Sequence, residues 1–422
     1  MASPAVAVFS VWYDPALVMA IMTVDGWKGL TMGTDTLDPQ QHRLTGHRRF
    51  WVISAVALFL LTMIVIGTLF VRGRNRWAIM RGLPQNCLIQ SDPVFPARVR
   101  SWIGEANCRR LFDRPVKVLF RYDDWKLIVL PDLSGIEQFD TLREMEIRTA
   151  CIPKSQLDRL PAPPSVLKLR ISNYLTMCSD TCNVEAADTK PWKPEFAWDG
   201  KDMAFLSRFH TLRELELRSL WLRTGVLDVV GDLTQLEVLS LKQSDFPSAE
   251  LPSLGRLRKL RVLTFWNTPK SMRSLEWLRD MESLEELTLV GCRNIDAKML
   301  EPLAQLPRLH TLRLDGGSLT SDAAPALGTF HQLRVLTLSG VDLRGQKLQH
   351  LSSLEHLEWL DINYDHLHSV ETLQSLLTSL RPECIVYVNH YEHRRYSSLL
   401  PPDVLSRLSN EPRKELEFPV DY

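Results

Sequence analysis

The sequence has no surplus of either charge. Fifty basic and fifty acidic residues among 422 leave a formal net charge of zero, which removes the electrostatic footprint of a nucleic-acid or polyanion binder. Cysteine is sparse as well. Cys87, Cys108, Cys151, Cys178, Cys182, Cys292 and Cys384 make neither a dense disulfide framework nor a zinc pattern. Cys178 and Cys182 are near enough to close a small disulfide in an oxidising compartment or to bind metal, and two free thiols in a loop is the other reading; Cys292 is read as structural. The G-x-S-x-G elbow, the P-loop, the G-x-G-x-x-G turn, the kinase set and the H-E-x-x-H helix are all missing. Six of the eleven histidines fall between His350 and His393, as in Asp365-His366-Leu367-His368, yet no cysteine pair accompanies them. No catalytic, cofactor or metal residues are assigned, and the chain is read as a non-enzyme that needs no cofactor.

One long apolar run is present. Trp51 to Val71 carries no charge and is bracketed by Arg48 and Arg49 on one side and Arg72, Arg74 and Arg76 on the other. At 1.5 Å per residue it makes ~31 Å of helix, matching the ~30 Å hydrocarbon layer. No A-x-A-like cleavage site follows, so residues 51–71 are predicted to be a retained transmembrane helix. Arginines near its two ends nearly balance, which leaves the orientation open; a weak preference places the carboxyl-terminal part outside the cytoplasm. Residues 1–50 are read as a poorly ordered tail, with Met1 and Met32 both standing as the true start.

The rest is organised by repetition. LRELEL, LEVLSL, LRVLTF, LEELTL, LHTLRL, LRVLTL and LEWLDI recur with Leu215, Leu239, Leu263, Leu287, Leu312, Leu336 and Leu360 at matching positions, a step of 24 residues broken once by 25. Each phrase ends in a period-2 segment suited to a strand with one buried face. Leu275, Leu278 and Met281, then Leu300, Leu303 and Leu306, then Leu348, Leu351 and Leu354 follow at helical spacing and predict short helices behind the strands. Such a unit cannot bury its own apolar face, so the repeats must stack.

Before the repeats, residues 72–132 are expected to form a linker and cap, with a helix near Val99, Trp102 and Ile103 and a strand near Val116 to Phe120. The solenoid is placed at 133–389, starting in degraded form with Phe139, Leu142, Met145 and Ile147 and then Leu160, Val166, Leu169 and Ile171. Residues 173–200 read as an inserted surface loop. Residues 390–422 read as an exposed tail.

The L-x-x-L-x-L phrases, together with LTLVGCRNIDAKMLEPLAQL from Leu287 and LRLDGGSLTSDAAPAL from Leu312, resemble the leucine-rich-repeat family, and within it the cysteine-type subtype related to ribonuclease inhibitor. One span, a cap and this array are similar to bacterial membrane-tethered repeat proteins. The resemblance implies an α/β leucine-rich-repeat solenoid, with a parallel sheet on the concave side and short helices on the convex side, that binds a protein partner on the concave face. The family commonly places Asn at the turn after each strand. Leu220, Ser244, Thr268, Cys292, Gly317, Val341 and Asp365 stand there instead, so several turns must satisfy their backbone by other means.

If the strands stack, Glu216, Ser240, Thr264, Thr288, Arg313, Thr337 and Asp361 form one row on the open face, and Arg218, Lys242, Trp266, Val290, Asp315, Ser339 and Asn363 the next. Apart from Val290 and Ser339, these residues make up the candidate partner-binding site, with Trp266 as its expected aromatic anchor. A protein partner, and the membrane through residues 51–71, are the expected contacts; nucleic acid and a small-molecule substrate are not. The other reading is a scaffold component of the cell envelope with no dedicated ligand.

Overall fold

The computed structural model describes residues 39–83, 87–121, 135–149, 159–173, 197–244, 246–266, 272, 274–339, 348–362, 370–388 and 402–409. It divides into two compact units, one drawn from Met1–Gly82 and Ser91–Arg114, the other from Leu83–Gln90 and Pro115–Tyr422.

The first unit is built on α1, Pro39–Gly82. The expected span at 51–71 lies inside this helix, which also takes in residues 39–50 of the segment read as a tail. No proline interrupts it until Pro84, whose ring disfavours a helical residue before it. From Val56 to Val71 its large apolar side chains are exposed, Leu58 at 63% and Ile64 at 62%, and among the described residues it is the helix long and apolar enough to cross a membrane. Further on, buried Gly73 and half-buried Arg76, Trp77 and Met80 recur at steps of three and four on one face. In this unit α2, Ala97–Ile103, and α3, Glu105–Leu111, form a hairpin, and α3 packs on α1. They join at Gly104, whose φ of +93° favours glycine. Arg100 fastens the hairpin: Nη1 donates to Asp113 Oδ1 at 2.6 Å and Nε to Glu105 Oε2 at 2.9 Å.

The second unit is one sheet whose strands lie side by side in chain order. They are β1 Cys87–Asp92, β2 Arg114–Arg121, β3 Glu144–Thr149, β4 Lys168–Asn173, β5 Glu214–Arg218, β6 Val238–Lys242 and β7 Val262–Trp266. There follow β8 Glu286–Val290, β9 Thr311–Asp315, β10 Val335–Thr337, β11 Trp359–Asp361, β12 Ile385–Tyr387 and β13 Leu408–Ser409. From β2 onward every pairing is parallel, and the repeated leucines sit opposite one another, Leu215 against Leu239 and Leu263 against Leu287. Period-2 alternation sends these leucines to one face, where Leu215, Leu239, Leu287 and Leu312 are at most 1% exposed. The one longer step, between Glu286 and its partner Thr311, is absorbed in the connecting arc without shifting the register.

Behind the sheet lie α4 Val226–Gly231, α5 Ala297–Ala304, α6 Ala323–Leu327 and α7 Val370–Ser379; of the three short helices predicted from leucine spacing, the one at 300–306 is α5, and those at 275–281 and 348–354 are 3-10 turns instead. Elsewhere the arcs tighten to 3-10 turns, such as Ser248–Arg256 and Leu348–Ser353. Leu275, Leu278, Met281, Leu300, Leu303 and Leu306 are all fully buried there, closing the core that no single coil could close. Asp296 caps α5, its Oδ1 accepting the Met299 N–H at 2.7 Å.

Turns that lack the family's Asn satisfy their backbone differently. Ser244 Oγ donates to Lys242 O at 3.0 Å and accepts the Leu220 N–H at 3.4 Å. At Gly317 a Cβ would lie 1.9 Å from Cys292 O, so only glycine lets the two coils meet. Thr268, Val341 and Asp365 lie outside the described residues, as does most of the 173–200 insertion with Cys178 and Cys182. Of the segment read as an exposed tail, α8 Pro402–Leu405 and β13 add a further coil, and the Arg407 guanidinium donates to the carbonyls of Leu377 and Arg381. That coil is too short for the leucine phrase to mark it.

Candidate functional site

Side chains between the paired leucines face away from the core, and the register lines them up as the spacing predicts. Glu216, Ser240, Thr264, Thr288, Arg313, Thr337 and Asp361 form one continuous row. Arg218, Lys242, Trp266, Val290 and Asp315 form the next. Asn363 lies outside the described residues.

The face is more recessed than expected. Ser240, Thr288 and Thr337 are buried at 8, 4 and 7% exposure, because short side chains on strands ~4.8 Å apart are overtopped by taller neighbours. Ser240 Oγ and Thr337 Oγ1 have no hydrogen-bond partner among the described residues. Around Thr264 the face holds a depression of 230 Å³, lined among others by Arg170, Glu216, Lys242, Glu286, Thr288 and Arg313.

Both rows continue beyond the regular repeats, and those continuations were missed. Toward the amino terminus the first row runs through Arg170 and Glu146, the second through Ser172 and Arg148, and a third holds Lys117, Glu144, Lys168 and Glu214. These charges pair across strands. Lys117 Nζ lies 2.9 Å from both Glu144 and Glu146, Lys168 reaches Glu214 at 2.6 Å, and Lys242 reaches Glu216 at 3.1 Å. Arg148 also pairs with Glu146. Burial is the largest influence on the Glu146 carboxyl and pushes its pKa up, but the bonds from Lys117 and Arg148 outweigh it and hold the group below its usual range. The alternating charges of EMEIRT and KLRIS were the available signal.

Toward the carboxyl terminus the rows reach Trp359 and Tyr387, whose rings stack at 6.1 Å with 19° between their planes. Trp359 is 8% exposed and its Nε1 has no hydrogen-bond partner among the described residues. Trp266, the expected anchor, is half-buried on β7; the aromatic pair lies four strands further along. Burial raises the Asp315 carboxyl, and burial followed by the charge of Asp361 raises the Tyr387 hydroxyl.

Burial pushes the Cys87 thiol up to about 12 and that of Cys384 to about 11, so both stay protonated and unreactive at neutral pH. Among the described residues no group of three His, Cys, Asp or Glu side chains could hold a metal ion. His366, His368, His390 and His393 lie outside them.

No family model matches the chain. It is 32% identical over 156 residues to a protein of Trypanosoma equiperdum named "Putative adenylate cyclase regulatory protein", a match covering 37% of this chain. Among solved structures, an internalin of Listeria monocytogenes superposes with a TM-score of 0.42 at 18% identity, covering 61% of this chain and 64% of its own. A leucine-rich-repeat protein of Leptospira interrogans gives 0.38 at 16%, covering 67% and 74%. The leucine-rich-repeat ectodomain of a membrane receptor kinase from Arabidopsis thaliana gives 0.40 at 14%, covering 79% and 43%. These superpositions are weak, and it is the chain's own strand register and repeated leucines that make the second unit a leucine-rich-repeat solenoid. The chain spans about a quarter, 24%, of the trypanosomal relative it matches.

Proposed function

We propose that this chain is a membrane-anchored protein–protein interaction module, held by residues 51–71 in a bilayer and binding a protein partner across the open face of its solenoid, on the extracytoplasmic side. One observation carries the reading. Ser240 Oγ, Thr337 Oγ1 and Trp359 Nε1 lie on one sheet face, recessed and without partners among the described residues. An unsatisfied buried polar group costs about 1–3 kcal/mol, and a partner that hydrogen-bonds there recovers it. Seven strands at ~4.8 Å make a face ~30 Å long, enough for the ~800 Å² that each side of a standard interface buries. The exposed apolar surface of α1 supports the anchor.

The envelope-scaffold reading is favoured by a different observation: from β2 to β6 the charges on the face pair with one another, as in a surface that serves only its own rigidity. Site-specific photo-crosslinking in intact cells separates the two. Crosslinkers at positions 264 and 313 should yield a discrete protein adduct that crosslinkers at 301 and 305, on the helical side, do not. The same faint pattern from both sides would leave the scaffold reading standing. Protease protection of the solenoid in sealed cells tests the side of the membrane: digestion by added protease is expected, and full protection would reverse the orientation.

A further inference from the structure

The hairpin of α2 and α3 presents a surface that neither the span nor the solenoid explains. Trp102 is 85% exposed and Val99 is 38% exposed, and their spacing of three puts them on the same side of α2. This is an ordered display, because the buried Arg100 guanidinium ties α2 to Glu105 and Asp113. The surroundings are strongly basic. Between residues 72 and 114 there are nine arginines and no lysine, against Asp92, Glu105 and Asp113, and the last two acids are engaged by Arg100. Arg72, Arg74, Arg81, Arg98 and Arg109 are exposed.

Position along α1 decides what this surface meets. If the apolar run ends at Val71, residues 72–82 extend ~16 Å further, through a headgroup layer roughly 5–8 Å thick on each side of the hydrocarbon. The packed face of α1 beyond that point begins at Gly73. A hairpin packed on a face that begins at Gly73 reaches into the headgroup layer, where tryptophan is favoured and where clustered arginine meets anionic lipid.

We propose that the α2–α3 hairpin is an interfacial foot: Trp102 and Val99 enter the headgroup–acyl boundary of the bilayer that α1 crosses, and the exposed arginines around them bind anionic phospholipid headgroups. The inference rests on the anchor reading above. The test uses the full chain in vesicles of phosphatidylcholine, with or without phosphatidylglycerol, with plain or dibrominated acyl chains. Flotation after an alkaline wash reports the span, and the emission of the wild type minus that of Trp102→Phe reports Trp102.

The chain is expected to float in both forms, with Trp102 emission blue-shifted and quenched roughly twofold by the brominated chains, as for an indole at the interface. Arg74→Glu with Arg98→Glu is expected to reduce that quenching in vesicles containing phosphatidylglycerol and to leave it unchanged in phosphatidylcholine alone. A chain that floats while Trp102 emits as in water, unquenched, overturns the foot and spares the anchor. Quenching that ignores phosphatidylglycerol and the arginine substitutions overturns the headgroup assignment. A chain that fails to float overturns both readings.

Discussion

Between β2 and β6 the open sheet face is dominated by lysine, arginine and glutamate; between β7 and β12 it is dominated by threonine, valine, tryptophan and tyrosine, with Glu286, Arg313, Asp315 and Asp361 among them. The backbone ladder and the buried leucines are the same in both halves. In the first half the lysines, arginines and glutamates pair with one another, most of them one strand apart. In the second half Thr337 Oγ1 and Trp359 Nε1 are recessed without hydrogen-bond partners among the described residues, as is Ser240 Oγ at the border on β6. A repeat backbone thus fixes where side chains stand and leaves open whether they bond with each other or with something else. Unpartnered uncharged groups on this face begin at β6, with Ser240, and continue through Thr337 and Trp359.

The largest effect should be indifferent to this contrast. Leu287→Ala and Leu169→Ala each remove a fully buried side chain, one from each half, and each should lower stability by about 2–5 kcal/mol in chemical denaturation. A much smaller loss at one of them would show that the two halves do not share a continuous core.

Glu146→Ala comes next. It leaves Lys117 and Arg148 facing each other without their shared carboxylate, and should destabilise by roughly 2 kcal/mol, below the fully buried range because both cations keep some exposure. Thr288→Ala, equally recessed in the second half, should cost under about 1 kcal/mol. Equal losses would erase the distinction.

Acid should separate the halves by sign. A carboxyl held low on folding, as at Glu146, stabilises above its ordinary value of 4.5 and loses that contribution as pH falls through the folded value. Asp315 is pushed up, so the folded state holds its proton more tightly. Its contribution grows as pH falls through the raised value and is complete below the ordinary 3.8. Hydrogen exchange corrected for intrinsic rates, compared at about pH 6 and about pH 3, should show β3 and β4 losing protection before β9.

The smallest expected effect is at Thr337→Val. Replacing an unpartnered buried hydroxyl by a methyl should leave stability unchanged or raise it by up to about 1 kcal/mol, while weakening the photo-crosslinked adduct from position 313. Loss of stability would mean that the hydroxyl is satisfied within the fold.

Much of the second unit was legible because its signal is redundant: seven phrases in step each place the same leucine, and a slip in one would bury charge. The rows on the open face followed from the same arithmetic. Depth did not, since whether Ser240 or Thr337 is reached depends on the height of neighbours one strand away, and spacing carries no heights. Trp359 lies outside the two rows that the spacing singled out, in register with Val335, so Trp266 stood there as the expected aromatic anchor. The charged rows on β3 and β4 were passed over because their repeats are degraded and the leucine phrase is incomplete. Helix α2 was legible in Val99, Trp102 and Ile103, whereas α3 and the coil ending at β13 have elements of two to seven residues, too short for any periodicity to declare itself.

The additional residue taken up between Glu286 and Thr311 has a bearing on how this chain can change length. Surplus accommodated in an arc leaves every later strand aligned, whereas the same residue placed between Leu287 and Leu289 of β8 would turn the second of those leucines outward. Growth by whole coils, or by single residues in the bends, is therefore the path open to it, and the strands are the part that cannot be edited one position at a time.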